Sequence, residues 1–182
     1  MKTKILLSIL FGALVLVACK KEPPPPDAST VVMPPLTHQG LNTFGCYLDD
    51  ELFVAGGGKN YWAIPPVSGS YDETDNRLGI QGTRYRDEIS DNLTLISYGV
   101  VGVGEYDFGP FTWDKVSAYF NNKGDRCHYY YTDIPDLGKL TITHFDKTKR
   151  IIAGTFYINL INKDCEEDTL LKITDGRFDF KY

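Results

Sequence analysis

From residue 43 onward, apolar and polar positions alternate in short runs. Gly or Pro breaks the pattern roughly every 8 to 12 residues, the spacing of many short strands. No stretch sustains the 3.6-residue period of an amphipathic helix. Residues 43–48 and 51–55 flank Asp49-Asp50, which predicts a tight hairpin. Short strands are expected at 61–64, 77–83, 92–98 and 105–108, and within 113–121, with another at 127–132 after a turn at 122–125. Glycines make 99–104 a flexible loop or bulged segment. The predicted class is all-β: an antiparallel β-sandwich, with a closed lipocalin-like β-barrel as the alternative.

Residues 139–182 carry the clearest pattern. Leu140 and Ile142 share one face with His144, while Thr141, Thr143 and Phe145 share the other. The charged run Asp146-Lys147-Thr148-Lys149-Arg150 fits neither face and reads as a hairpin tip. The return strand lines up Ile152, Phe156, Ile158 and Leu160, with Gly154 in the middle of the row. A glycine there calls for something large over it, such as Phe178. In the last strand Leu171 and Ile173 are odd-numbered, whereas Phe178, Phe180 and Tyr182 are even. A one-residue bulge at Asp175-Gly176, with Gly176 at positive φ, would return them all to one face. Arg177, Asp179 and Lys181 would then face solvent together.

Upstream of residue 43 the pattern changes. A basic start, an apolar run over 5–17 and then Ala18-Cys19 form a secretory signal. The apolar run is shorter than the about 20 residues of a membrane span. Leu16-Val17-Ala18-Cys19 resembles the lipobox of bacterial lipoproteins, so residues 1–18 are expected to be a lipoprotein signal peptide and Cys19 the lipidated residue. Acyl chains would then anchor the protein to a membrane, each buried methylene contributing about 0.8 kcal/mol. Residues 19–42, with Pro23 to Pro26 and Pro34-Pro35, read as a Pro-rich tether too poor in large apolar residues to form a core. Residues 43–182 are expected to form a single all-β domain.

Charge narrows the partners. Without Lys2 and Lys4, 17 basic residues face 24 acidic ones, a net charge of −7. That argues against nucleic acid and leaves attachment to the lipid rather than to a basic patch. Once Cys19 is lipidated, Cys46, Cys127 and Cys165 remain. They allow one disulfide and one thiol, or three buried thiols. A simple meander would place Cys127 and Cys165 at opposite ends of the sheet, favouring a pair that includes Cys46.

Four runs together carry a family resemblance: Thr43-Phe44-Gly45-Cys46, Gly138-Lys139-Leu140-Thr141-Ile142-Thr143, Ile152-Ala153-Gly154-Thr155-Phe156 and Ile173-Thr174-Asp175-Gly176-Arg177-Phe178-Asp179. They resemble those of an uncharacterised family of Bacteroidota outer-membrane lipoproteins. The resemblance implies a bacterial outer-membrane location, lipid-anchored, and no particular reaction. Asp49-Asp50 departs from the Asn-Gly-like turn common in such proteins. Lys20 after the lipidated Cys is similar to outer-membrane sorting in enteric bacteria.

Candidate chemistry is sparse. Gly56-Gly57-Gly58-Lys59 lacks the spacing and the Ser/Thr of a phosphate loop. No Gly-x-Ser-x-Gly occurs. The histidines, His38, His128 and His144, are scattered, and Cys127, His128, His144 and Cys165 have no zinc-ligand spacing. The acidic clusters do not follow the calcium-loop order. No catalytic motif, cofactor or metal site is expected. Aromatics are dense in the middle of the domain, and Trp62, Trp113, Tyr129 and Tyr131 form the candidate binding surface, for a glycan or a protein partner. The expected function is a membrane-anchored binding or structural module of the cell envelope. A barrel carrying a small ligand or glycan is the alternative, and a hydrolase ranks behind both.

Overall fold

The computed structural model describes residues 31–57, 65–86, 89–109, 118–122, 129–132, 138–163 and 169–182. The strands there are β1 (Thr43–Leu48), β2 (Glu51–Val54), β3 (Val67–Asp72), β4 (Arg77–Arg86), β5 (Ile89–Ser97), β6 (Gly104–Asp107), β7 (Ala118–Asn122), β8 (Tyr129–Tyr131), β9 (Gly138–Asp146), β10 (Ile151–Asn162) and β11 (Thr169–Lys181). They pair antiparallel in the order β2-β1-β11-β10-β8-β7-β5-β4-β3. The long β10 forks the sheet. One edge takes β11, while the other takes β9 along its first half and β8 at Ile161. Strand β6 adds to the free edge of β9.

The protein is all-β, as expected, and its single sheet curls into a half-barrel whose facing walls pack like the layers of a sandwich. Two features draw the ends of the curl together. Gly56, just past β2, bridges in parallel to Arg84 of β4, with Gly56 N–H donating to Thr83 O at 2.9 Å and Tyr85 N–H to Gly56 O at 2.8 Å. Arg84 also reaches from β4 to the Glu51 carboxylate (2.7 Å) and to Leu52 O (3.1 Å) on β2.

Alternation explains the core. Phe44, Cys46 and Leu48 of β1 point inward, as do Leu78 and Ile80 of β4, Leu93 and Leu95 of β5, and Ile152, Phe156, Ile158 and Leu160 of β10. A run of rings fills the interior: Phe120 against Phe53, Phe53 against Phe44, Phe44 against Phe156, Phe156 against Phe178 and Phe178 against Phe180, with centroids 5.3–6.4 Å apart. Burying each contributes about 1.5–3 kcal/mol. Strand β3 escaped prediction because Ser68, Gly69 and Ser70 interrupt its apolar alternation. Gly69 is nonetheless an inward position, a socket for the Phe180 ring between the buried Val67 and Tyr71.

The hairpin at Asp49-Asp50 forms as expected, with Leu48 opposite Glu51 and Asp49 at φ 52°. The C-terminal bulge also forms. Phe156 faces Gly176 but Ile158 faces Ile173, so β11 carries one extra residue, and β1 shows the same slip. The left-handed residue is Asp175 (φ 50°), however, and not Gly176. Gly176 is required for space instead: a Cβ there would lie 2.5 Å from the Phe156 ring. Gly154 is crossed by Phe178, whose ring tip would be 3.0 Å from an added Cβ.

A second bulge was not expected. Ala153 faces His144 but Gly154 faces Ile142, leaving Thr143 as the extra residue of β9. It moves His144 off the Leu140–Ile142 face and packs Phe145 against the core in its place. The end of the expected tether is docked as well. Residues 34–42 form a strap on the outside of β1, β11, β10 and β9. Arg177 donates to Pro34 O, and the Lys181 N–H donates to the Asn42 side chain. Asp179 does not face solvent with Arg177 and Lys181. It is 1% exposed and accepts from Thr37 Oγ1 (2.5 Å), Gln39 N–H (3.0 Å), Gly40 N–H (2.7 Å) and Leu41 N–H (3.4 Å). The strand expected at 61–64, the turn at 123–125 and residues 113–117 lie outside the described residues.

Candidate functional site

Leu78 and Ile80 of β4, Leu93 and Leu95 of β5, Ala118 and Phe120 of β7 and Tyr130 of β8 point into the curl, so the residues that alternate with them point out. The register joins these outward positions into two rows. One runs Gln81, Thr94, Tyr119, Tyr131 and on to Ile161 of β10. The next runs Thr83, Asn92, Asn121 and Tyr129. Directly opposed side chains on one face have Cβ atoms about 4.5–5.5 Å apart, so the rows form one continuous surface. None of these nine residues is Asp, Glu, Lys or Arg, although 24% of the chain is charged.

Part of the surface is held in place. Gln81 Nε2 donates to Asn92 Oδ1 (3.0 Å) and Thr83 Oγ1 (3.2 Å), and the Thr83 hydroxyl donates to Asn92 Oδ1 (2.9 Å). Tyr129 stands 45% exposed, and Tyr119 and Tyr131 are half-buried. Thr94 and Asn121 are 8% and 9% exposed, and among the described residues neither Thr94 Oγ1 nor Asn121 Oδ1 has a hydrogen-bond partner. A buried polar atom left unpaired costs about 1–3 kcal/mol. Chemically, these nine positions offer fixed amide and hydroxyl groups beside tyrosine rings, and no charge.

Of the predicted surface residues, Tyr129 and Tyr131 lie here, while Trp62 and Trp113 fall outside the described residues, as do Cys19, Cys127 and Cys165. Cys46 is a free thiol, fully buried in the core, so the pairing favoured for it is not formed. The cause is alternation: Cys46 points inward between Phe44 and Leu48, and burial pushes its thiol pKa far up. Tyr119, Gln81, Thr83, Asn92, Thr94 and Asn121 were missed. Their signal was present as uncharged polar or tyrosine residues at alternate positions (81 and 83, 92 and 94, 119 and 121), but only register shows that those pairs adjoin.

Other clusters are structural. Asp91, 0% exposed, takes Arg84 Nε at 3.1 Å, Arg84 Nη2 at 2.8 Å and Arg86 Nη2 at 2.7 Å on a single oxygen, Oδ2. This buried ion pair is continuous with the Arg84 link to β2. The strap brings His38 to His144, rings parallel within 8° and centroids 5.0 Å apart, with His38 Nε2 3.2 Å from Thr143 Oγ1. Among the described residues no three His, Cys, Asp or Glu side chains gather as a metal site.

The family described as a domain of unknown function, DUF6252, matches residues 53–179. No curated protein and no solved structure shows significant similarity to the chain.

Proposed function

The chain belongs to the DUF6252 family, and we propose that it serves as a binding module of the bacterial cell envelope, anchored in the outer membrane by lipid on Cys19 and engaging its partner through the outer face of β4, β5, β7 and β8. The observation that carries the binding reading is the uncharged double row with two buried, unpartnered polar atoms, Thr94 Oγ1 and Asn121 Oδ1. The aromatic filling of the interior supports an outer site over a ligand carried inside the curl. The anchor rests on Leu16-Val17-Ala18-Cys19 and on a mature chain too acidic to be held by anionic lipid alone.

Labelled palmitate should be incorporated into the wild-type chain and lost in Cys19→Ala. Labelling that survives this change would reject the anchor. The full chain should retain material from its own cell envelope. That retention should fall in Tyr129→Ala and Tyr131→Ala, and retention unaffected by both would place the partner elsewhere.

A further inference from the structure

We propose that the ligand of this outer face is a neutral glycan, recognised through its hydroxyls and its apolar ring faces; this rests on the outer-face binding reading above. Absence of charge is the first reason. Phosphorylated ligands, acidic polysaccharides and basic peptides are held by charge-assisted pairs, and the nine residues of the two rows contain no Lys, Arg, Asp or Glu to supply one. The second is what the face leaves unmet. Thr94 opposes Tyr119, and Asn121 opposes Asn92, so Thr94 and Asn121 are diagonal neighbours on adjacent strands. Such neighbours stand about 7–8 Å apart, within reach of a single hexose. Asn121 Oδ1 needs a donor, and Thr94 Oγ1 can donate or accept. A sugar hydroxyl does both, so one ligand type satisfies the two atoms once the side chains that shield them from solvent move aside.

The third reason is the rim. Tyr129 and Tyr131, two positions apart on β8 and so in neighbouring rows, present rings suited to the C–H face of a pyranose, with Tyr119 between the β5 and β8 partners. Among the nine residues only Ile161 is aliphatic, which argues against a lipid tail or an apolar protein interface. Gln81 and Asn92 are already oriented by their mutual hydrogen bonds and can meet a ligand without reordering.

The test uses the full lipidated chain in a detergent that contains no sugar. Cellohexaose, xylohexaose and mannohexaose serve as neutral probes, polygalacturonate as an acidic one, and immobilised envelope extract as a reference. Binding is followed by calorimetry. At least one neutral hexaose is expected to bind, and Tyr129→Ala and Asn121→Ala should each weaken it by about tenfold. Tyr129→Phe should hold affinity within about threefold, since the ring face is kept. Gln81→Ala, at a half-exposed position, provides a variant that should fold if Asn121→Ala does not. Envelope retention without binding of any neutral hexaose, or preference for polygalacturonate, overturns the glycan and leaves the outer-face reading standing. Loss of both envelope retention and hexaose binding overturns the two together.

Discussion

The outside of the curled sheet has two regions that treat buried polar groups in opposite ways. Over β1, β11, β10 and β9, the chain covers its own sheet. Asp179 lies under the strap, and four strap donors converge on its carboxylate. Over β4, β5, β7 and β8, Thr94 and Asn121 are nearly as buried, yet Thr94 Oγ1 and Asn121 Oδ1 have no partner among the described residues. Folding completes the first region by itself. The second has a hydrogen-bonding capacity that folding does not use, and it is this capacity that the proposed ligand would meet.

The contrast can be broken most forcefully at Asp179. Replacing it by Ala strands three strap N–H groups and a hydroxyl, and should cost about 3 kcal/mol in urea unfolding. The same residue sets an acid limit. Burial alone would raise its pKa, but the hydrogen bonds from Thr37, Gln39, Gly40 and Leu41 prevail and hold it below the ordinary 3.8. A depressed folded-state pKa means the contribution is complete above about pH 4 and declines as pH falls through the lower folded value. Asp179→Asn should lack that acid-dependent segment of the stability curve. A pH profile identical to wild type would show that the carboxylate does not hold the strap.

Next in size is Gly176→Val, which drives a side chain into the Phe156 ring and should cost about 2 kcal/mol. Wild-type stability in this variant would mean that the bulge can relax away from the ring. Asp175→Val tests the left-handed residue beside it and should cost about 1 kcal/mol, while Asp175→Gly should be close to neutral. The smallest effect belongs to the face of β4, β5, β7 and β8. Tyr129→Ala should shift unfolding free energy by less than about 0.5 kcal/mol, because the side chain is 45% exposed. A loss of 2 kcal/mol or more there would mark the tyrosine as structural and remove the distinction between the two regions.

Legibility followed the range of the interactions involved. The 49–50 hairpin, the 146–150 tip, the all-β class and the bulge near Gly176 depend on side-chain period and turn residues, which are local and visible in the chain. Strand β3 was hidden because its inward middle position is Gly69, whose role becomes clear only with Phe180 above it. His144 was assigned to the wrong face because the bulge at Thr143 has no Gly or Pro to signal it. The strap looked like tether for a related reason: proline and polar residues read as solvated until Asp179, some 140 positions away, is brought against them. The candidate face was half legible. Tyr129 and Tyr131 stood out as an aromatic run, whereas the amides and hydroxyls beside them are unremarkable in any one strand.

The amino-acid sequence by itself determined the period-two pattern, the inward set of phenylalanines, the tight turns, the acidic charge and the features behind the expected lipid anchor, because each is a property of neighbours along the chain. Tertiary structure alone decided which outward positions share a row, which of them are covered by residues 34–42, and where polar groups are left without partners. Those outcomes depend on strand order and register, and both are settled by packing across the curl between residues far apart in sequence.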